Sequence, residues 1–106
     1  MDSMELGGNI VLTGFADRDF TELIVVKKIV GQYSRKLSDA TPDFGKLHVS
    51  VKNVHGGSTI EISCTAEVNN HKFSSQVEGH NLFVVLDEAL KKVSEQVHKK
   101  IDKQER

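Results

Sequence analysis

Histidine, cysteine and lysine are the side chains here with the most chemistry to offer, and their spacing separates metal binding, nucleophilic catalysis and phosphate contact. The five histidines, His48, His55, His71, His80 and His98, are scattered, and no two stand at the spacing of a metal pair. Cys64 is the only cysteine; the alternation around it points it inward, as a small buried hydrophobe rather than a reactive thiol. A glycine-rich phosphate loop, a nucleophile elbow and paired cysteines are all missing. The expectation is a protein that is not an enzyme and carries no cofactor, metal or small-molecule substrate. The cations behave differently. Lys27, Lys28, Arg35 and Lys36 stand at i, i+1, i+8 and i+9, and Lys91, Lys92, Lys99 and Lys100 repeat that spacing. If both sets lie on neighbouring helices, two basic ridges flank one groove, and such clustering suits phosphate because each neutralised phosphate releases counterions. The competing reading is two solvated faces laced by Glu88, Glu95 and Asp102 as i,i+4 partners.

The elements that must hold these cations follow from periodicity. Leu82, Leu86, Ala89, Leu90, Val93, Val97 and Ile101 recur three or four residues apart, one stripe of a helix, with Lys91, Lys92, Lys99, Lys100 and Lys103 off it. Asn81 stands at the N-cap position, and the lysines crowd the half where positive charge suits the helix dipole. An earlier helix is expected from Phe20, Leu23, Ile24, Val26, Ile29, Val30, Tyr33 and Leu37, with a capping signal in Asp17-Arg18-Asp19 and an interior Gly31. Ser38 to Gly45, holding the only proline, reads as a loop.

Strands read from alternation. Asn9 to Phe15 is the first, with Ile10 and Leu12 on one face. Leu47, Val49 and Val51 mark the second, His55-Gly56-Gly57-Ser58 the turn, and Ile60, Ile62, Cys64, Ala66 and Val68 the third. Asn69-Asn70 suits a two-residue hairpin turn, leading to a fourth strand with Phe73, Ser75 and Val77 on one side. That turn pairs Val68 with His71, Ala66 with Phe73, Cys64 with Ser75 and Ile62 with Val77, so inward residues meet inward residues. The order is β-α-β-β-β-α: an α+β domain over residues 9–106, a four-stranded mixed sheet with two helices on one face, behind a flexible lead-in at residues 1–8. The open face carries no aromatic, which excludes base stacking of the RNA-recognition type.

Totals bound the rest. The 106 residues suffice for one core, and no apolar run nears the ~20 residues that span a bilayer. The start lacks the basic and apolar regions of a signal peptide, and one cysteine fits a reducing compartment, so a cytoplasmic protein is expected. Net charge is −1, so attraction to nucleic acid must come from placement of charge.

Gly79-His80-Asn81-Leu82-Phe83-Val84-Val85-Leu86-Asp87 resembles the Gly-x-Asp-Met-Tyr-Ala-Ala-Ile-Asp that opens the last helix of the ribosome hibernation-promoting factors, the protein Y or S30AE family. Lys92-Val93-Ser94-Glu95-Gln96-Val97-His98-Lys99 is similar to the family's following Lys-Leu-x-Arg-Gln-Leu-x-Lys, and Asn9-Ile10-Val11-Leu12-Thr13-Gly14 to its Ile-Thr-Gly start. The element order matches over residues 9–103. The resemblance implies a short-form translation modulator that docks on the small ribosomal subunit, its basic helices meeting rRNA and idling ribosomes under stress. Lys92, Gln96 and Lys99 match polar positions of the motif; Lys91 and Lys100 are adjacent. Lys27, Lys28, Arg35 and Lys36 enter through the helix pairing alone. Glu95 stands where the family pattern has Arg. The alternative is a protein-interaction module of the same fold, acting through the open sheet face or a sheet edge.

Overall fold

Asn81 starts the element on which the fold rests. In the computed structural model, which describes residues 3–104, its side-chain oxygen accepts the backbone N–H of Phe83 at 3.1 Å and of Val84 at 3.2 Å. Two otherwise orphaned donors are thus satisfied, and α2 (Leu82–Gln104) begins there. The expected stripe is inward: Leu86, Ala89, Leu90, Val93 and Val97 are fully buried, Leu82 nearly so, and Ile101 half-buried. Residues 1, 2, 105 and 106 and the side chains of Asp102, Lys103 and Gln104 lie outside the described residues, so their expected roles are left there.

The other elements are β1 (Ser3–Leu6), β2 (Ile10–Thr13), α1 (Phe20–Ala40), β3 (Phe44–Val54), β4 (Thr59–Val68) and β5 (His71–Gly79). They form one sheet in the order β1-β2-β3-β4-β5. β2 pairs with β3 in parallel, as a helical crossover requires, and β3, β4 and β5 form the antiparallel meander. The β4–β5 register is the expected one, Val68 opposite His71 through Ile62 opposite Val77. Asn69 and Asn70 turn it at φ of 49° and 68°. Ile62, Cys64, Ala66, Leu47 and Val49 are sealed beneath the helices. Phe15, just past β2, is fully buried with them.

Three expectations are corrected. The sheet has five strands, not four, because part of the lead-in is β1, paired antiparallel with β2 from Ser3–Thr13 to Leu6–Ile10. Gly7 and Gly8, at φ of 59° and 80°, turn the chain tightly enough for Met4 and Leu6 to reach the core edge. The connection expected over Ser38–Gly45 is only Thr41-Pro42-Asp43, since α1 continues through Ala40. Pro42 acts on the residue before it: Thr41 is extended (φ −152°, ψ 135°), and the helix stops there. Finally, Phe20 and Ile24 face solvent instead of the core, which α1 meets through Val26, Val30, Ser34 and Leu37.

Because β2, β3 and β5 run in one direction and each helix runs back after its strand, α1 and α2 are parallel neighbours on the same face. Gly14 and Gly79 make the close approaches that this needs. Gly14 is at φ 85°, and a Cβ there would stand 2.2 Å from the Val51 carbonyl oxygen. A Cβ on Gly79 would stand 2.6 Å from Val85 Cγ2, where β5 hands over to α2.

Candidate nucleic-acid interface

Two side-chain contacts orient the helical layer. Tyr33 of α1 donates its hydroxyl to Asp87 of α2 at 2.9 Å, marking the flank where the helices face each other. Gln96 of α2 donates to the Ser74 carbonyl of β5 at 2.7 Å, marking the opposite flank over the sheet edge. Burial, with help from the neighbouring Asp87 and Glu95 carboxylates, pushes the Tyr33 phenol up to about 12. Ser75 of β5 also donates to the Ala89 carbonyl at 2.6 Å, so α2 is stapled to its strand at two points.

At 100° per residue these landmarks place each cation. Lys92 and Lys99, four before and three after Gln96, share its outer flank. Lys91, four after Asp87, lies toward α1. Lys100 falls in line with Val93 and Val97, and is exposed where α2 passes the sheet, in a depression with Thr41, Asp43, Asn69 and His71. On α1, Lys28 and Arg35 are seven residues apart and share the outward face. Lys27 and Lys36, nine apart, lie on opposite sides; Lys36 stands 5.3 Å over the Tyr33 ring, toward α2. The expected two ridges around one groove therefore take another form, a basic band spread across the helical layer. All eight cations are exposed.

The band closes no ion pair of its own among the described residues. Among the described residues the ion pairs are Lys52–Glu61 at 3.2 Å and His55–Glu78 at 3.1 Å, both on the sheet side. Glu88 and Glu95 thus close no ion pair with the helix lysines there. Gln96, however, is committed to β5. It satisfies a carbonyl on the outermost strand, a structural duty that sequence spacing gives no sign of.

The open sheet face is polar and internally paired. Ser3, Thr13 and His48 form a side-chain chain at 3.1 and 3.0 Å, and Thr65 meets Ser74 at 3.2 Å. Burial pushes the Glu61 carboxyl up, but hydrogen bonds from Gln76 and Lys52 outweigh this and hold it below the usual carboxylate range. Cys64 lies inside, and burial pushes its thiol up to about 12. Among the described residues no group of three His, Cys, Asp or Glu is placed to hold a metal, and no helix is long and apolar enough to cross a membrane.

No family model and no curated protein matches the chain. Solved structures do. A ribosomal subunit interface protein from Coxiella burnetii superposes with a TM-score of 0.64 at 9% identity, over 87% of this chain and 93% of that one. The Protein Y N-terminal domain of Thermus thermophilus does so with a TM-score of 0.60 at 14% identity, over 91% and 98%. This chain has their fold. The protein Y likeness read from the last helix is thereby met at the level of architecture, with both helices and the mixed sheet included.

Proposed function

We propose that this protein is a ribosome-associated translation modulator of the hibernation-factor kind, working in the cytoplasm by contact between its helical layer and small-subunit rRNA. One observation carries the reading. A protein Y fold presents eight exposed lysines and arginines on its helices, with no carboxylate closing an ion pair on any of them among the described residues. Lys91, Lys92, Lys99 and Lys100 on α2 are the leading contacts, Lys27, Lys28, Arg35 and Lys36 on α1 the supporting ones. Gln96 is removed from the contact set, because Ser74 already occupies its amide. A net charge of −1 does not oppose this, since phosphates within a Debye length respond to the local strip rather than to the molecular total.

The alternative of an open-face or sheet-edge module has less support. That face is engaged in its own cross-strand pairs, and on the β5 edge Gln96 occupies the Ser74 carbonyl. The test is sedimentation of lysates from starved cells at low salt. The protein is expected with the ribosomal particles, and Lys92→Glu with Lys99→Glu is expected to move it to the top of the gradient. A wild-type protein that stays at the top defeats the proposal.

A further inference from the structure

Four large apolar side chains stand in solvent among the described residues: Phe20 at 74% exposure, Ile24 at 51%, Val25 at 38% and Val84 at 54%. Three belong to the first two turns of α1 and the fourth to the first turn of α2. Since the helices are parallel, all four lie toward one end of the helical layer. Exposed large apolar groups scattered singly mean little, but several gathered at one end of one layer mark a contact surface.

Phe20 and Ile24 are one turn apart on the outward face of α1. Lys27 and Lys28, then Gly31, then Arg35 continue that face at helical spacing, about 22 Å from end to end. A Cβ at Gly31 would meet nothing within 4 Å, so no packing contact calls for glycine there; its absence leaves a shallow notch in the stripe. Lys27, Lys28 and Arg35 have no carboxylate partner among the described residues.

We propose that this face docks an acidic amphipathic helix of another protein. Two apolar side chains one turn apart would cover Phe20 and Ile24, and carboxylates further along would meet Lys28 and Arg35. Charge argues against a second copy as occupant, because a two-fold pairing of α1 with α1 about the middle of this stripe sets Lys27 and Lys28 against their own kind whether the helices run parallel or antiparallel. Chemistry argues against RNA at this end: Ile24, Val25 and Val84 offer no ring for stacking, and Asp17 and Asp19, just before Phe20 in the chain, repel phosphate. The inference goes beyond the rRNA reading, whose leading contacts are on α2; Lys27, Lys28 and Arg35, its supporting contacts, serve one partner at a time.

The experiment places a photo-crosslinking phenylalanine analogue at position 20 of the full chain, in the cells that make it, and maps the adduct by mass spectrometry. The expected adduct is a protein segment with apolar residues at helical spacing and carboxylates within about two to four turns of the cross-link. A synthetic peptide of that segment should bind the purified protein, at least tenfold more weakly after Phe20→Ser with Ile24→Ser, and more weakly again as salt rises. Ribosome sedimentation of that double variant should be unchanged, which separates failure here from failure of the rRNA reading. An adduct with RNA, with a second copy or with a segment lacking carboxylates overturns the proposal. So does a yield no higher than from the same analogue at the exposed Lys46.

Discussion

Asp87→Asn tests the helix pairing that brings the two sets of cations into one layer. Tyr33 is the only tyrosine and the chain has no tryptophan, so phenolate absorbance reports this residue alone. Its phenol is raised from 10.0 to about 12, first by burial between the helices and then by the hydrogen bond and negative charge of Asp87. Removing that charge relieves part of the shift and leaves burial, so the variant should titrate between 10.0 and about 12. The sign of the stability effect follows. The unfolded chain loses this proton near 10.0 and the folded one near 12, so the group's contribution is complete below pH 10 and declines as pH rises toward 12. Alkaline titration followed by phenolate absorbance, with far-ultraviolet circular dichroism in parallel, reads both. The wild type should show little phenolate while its dichroism stays native up to about pH 11, the midpoint between those values. A wild-type midpoint near 10 with native dichroism, or an Asp87→Asn curve superposed on it, would refute the packing of α1 against α2.

Three further outcomes are expected. Gly14→Ala should cost about 2–4 kcal/mol, from left-handed backbone strain plus a clash with the Val51 carbonyl, measured by urea unfolding; a loss below about 1 kcal/mol would contradict the close approach of β2 to β3. Asn81→Ala should cost about 1 kcal/mol and lower Tm by about 4–8 °C, because two first-turn N–H groups lose their acceptor. Cys64, buried and with its thiol raised to about 12, should resist alkylation at pH 8 until denaturant opens the core, whereas rapid labelling of the native protein would place it outside.

How much of this was legible in the sequence depended on how few interpretations each segment allowed. The Asn81 cap and the stripe from Leu82 to Ile101 admit one helix in one orientation, and they came through unchanged. Asn69-Asn70 fixes a register because a slip of one residue would turn Ile62, Cys64 and Ala66 into water. By contrast, β1 is four residues long, and its signal lies as much in the Gly7-Gly8 turn as in the alternation of Met4 and Leu6. Helix α1 carries apolar residues on two sides, so periodicity alone could not say that Val26, Val30 and Leu37 would be buried and Phe20 and Ile24 left outside. In the candidate site, lysine spacing identified the exposed residues but not their grouping. Nine residues are two and a half turns, which sends Lys27 and Lys36 to opposite sides of α1. The contact of Gln96 with β5 was not legible, because its partner, a backbone carbonyl, becomes adjacent only once α2 lies on the sheet.

The most direct measurement is the affinity of the purified protein for isolated small ribosomal subunits as a function of salt. Contact through the α2 lysines predicts a log–log slope of about −3 or steeper, with about 0.7–0.9 from each phosphate met. Lys92→Gln with Lys99→Gln should flatten it by about 1.4–1.8 at unchanged thermal stability, because both side chains are exposed and close no ion pair among the described residues. Binding that ignores salt, or a double variant with the wild-type slope, would contradict the assignment of this helical layer to RNA.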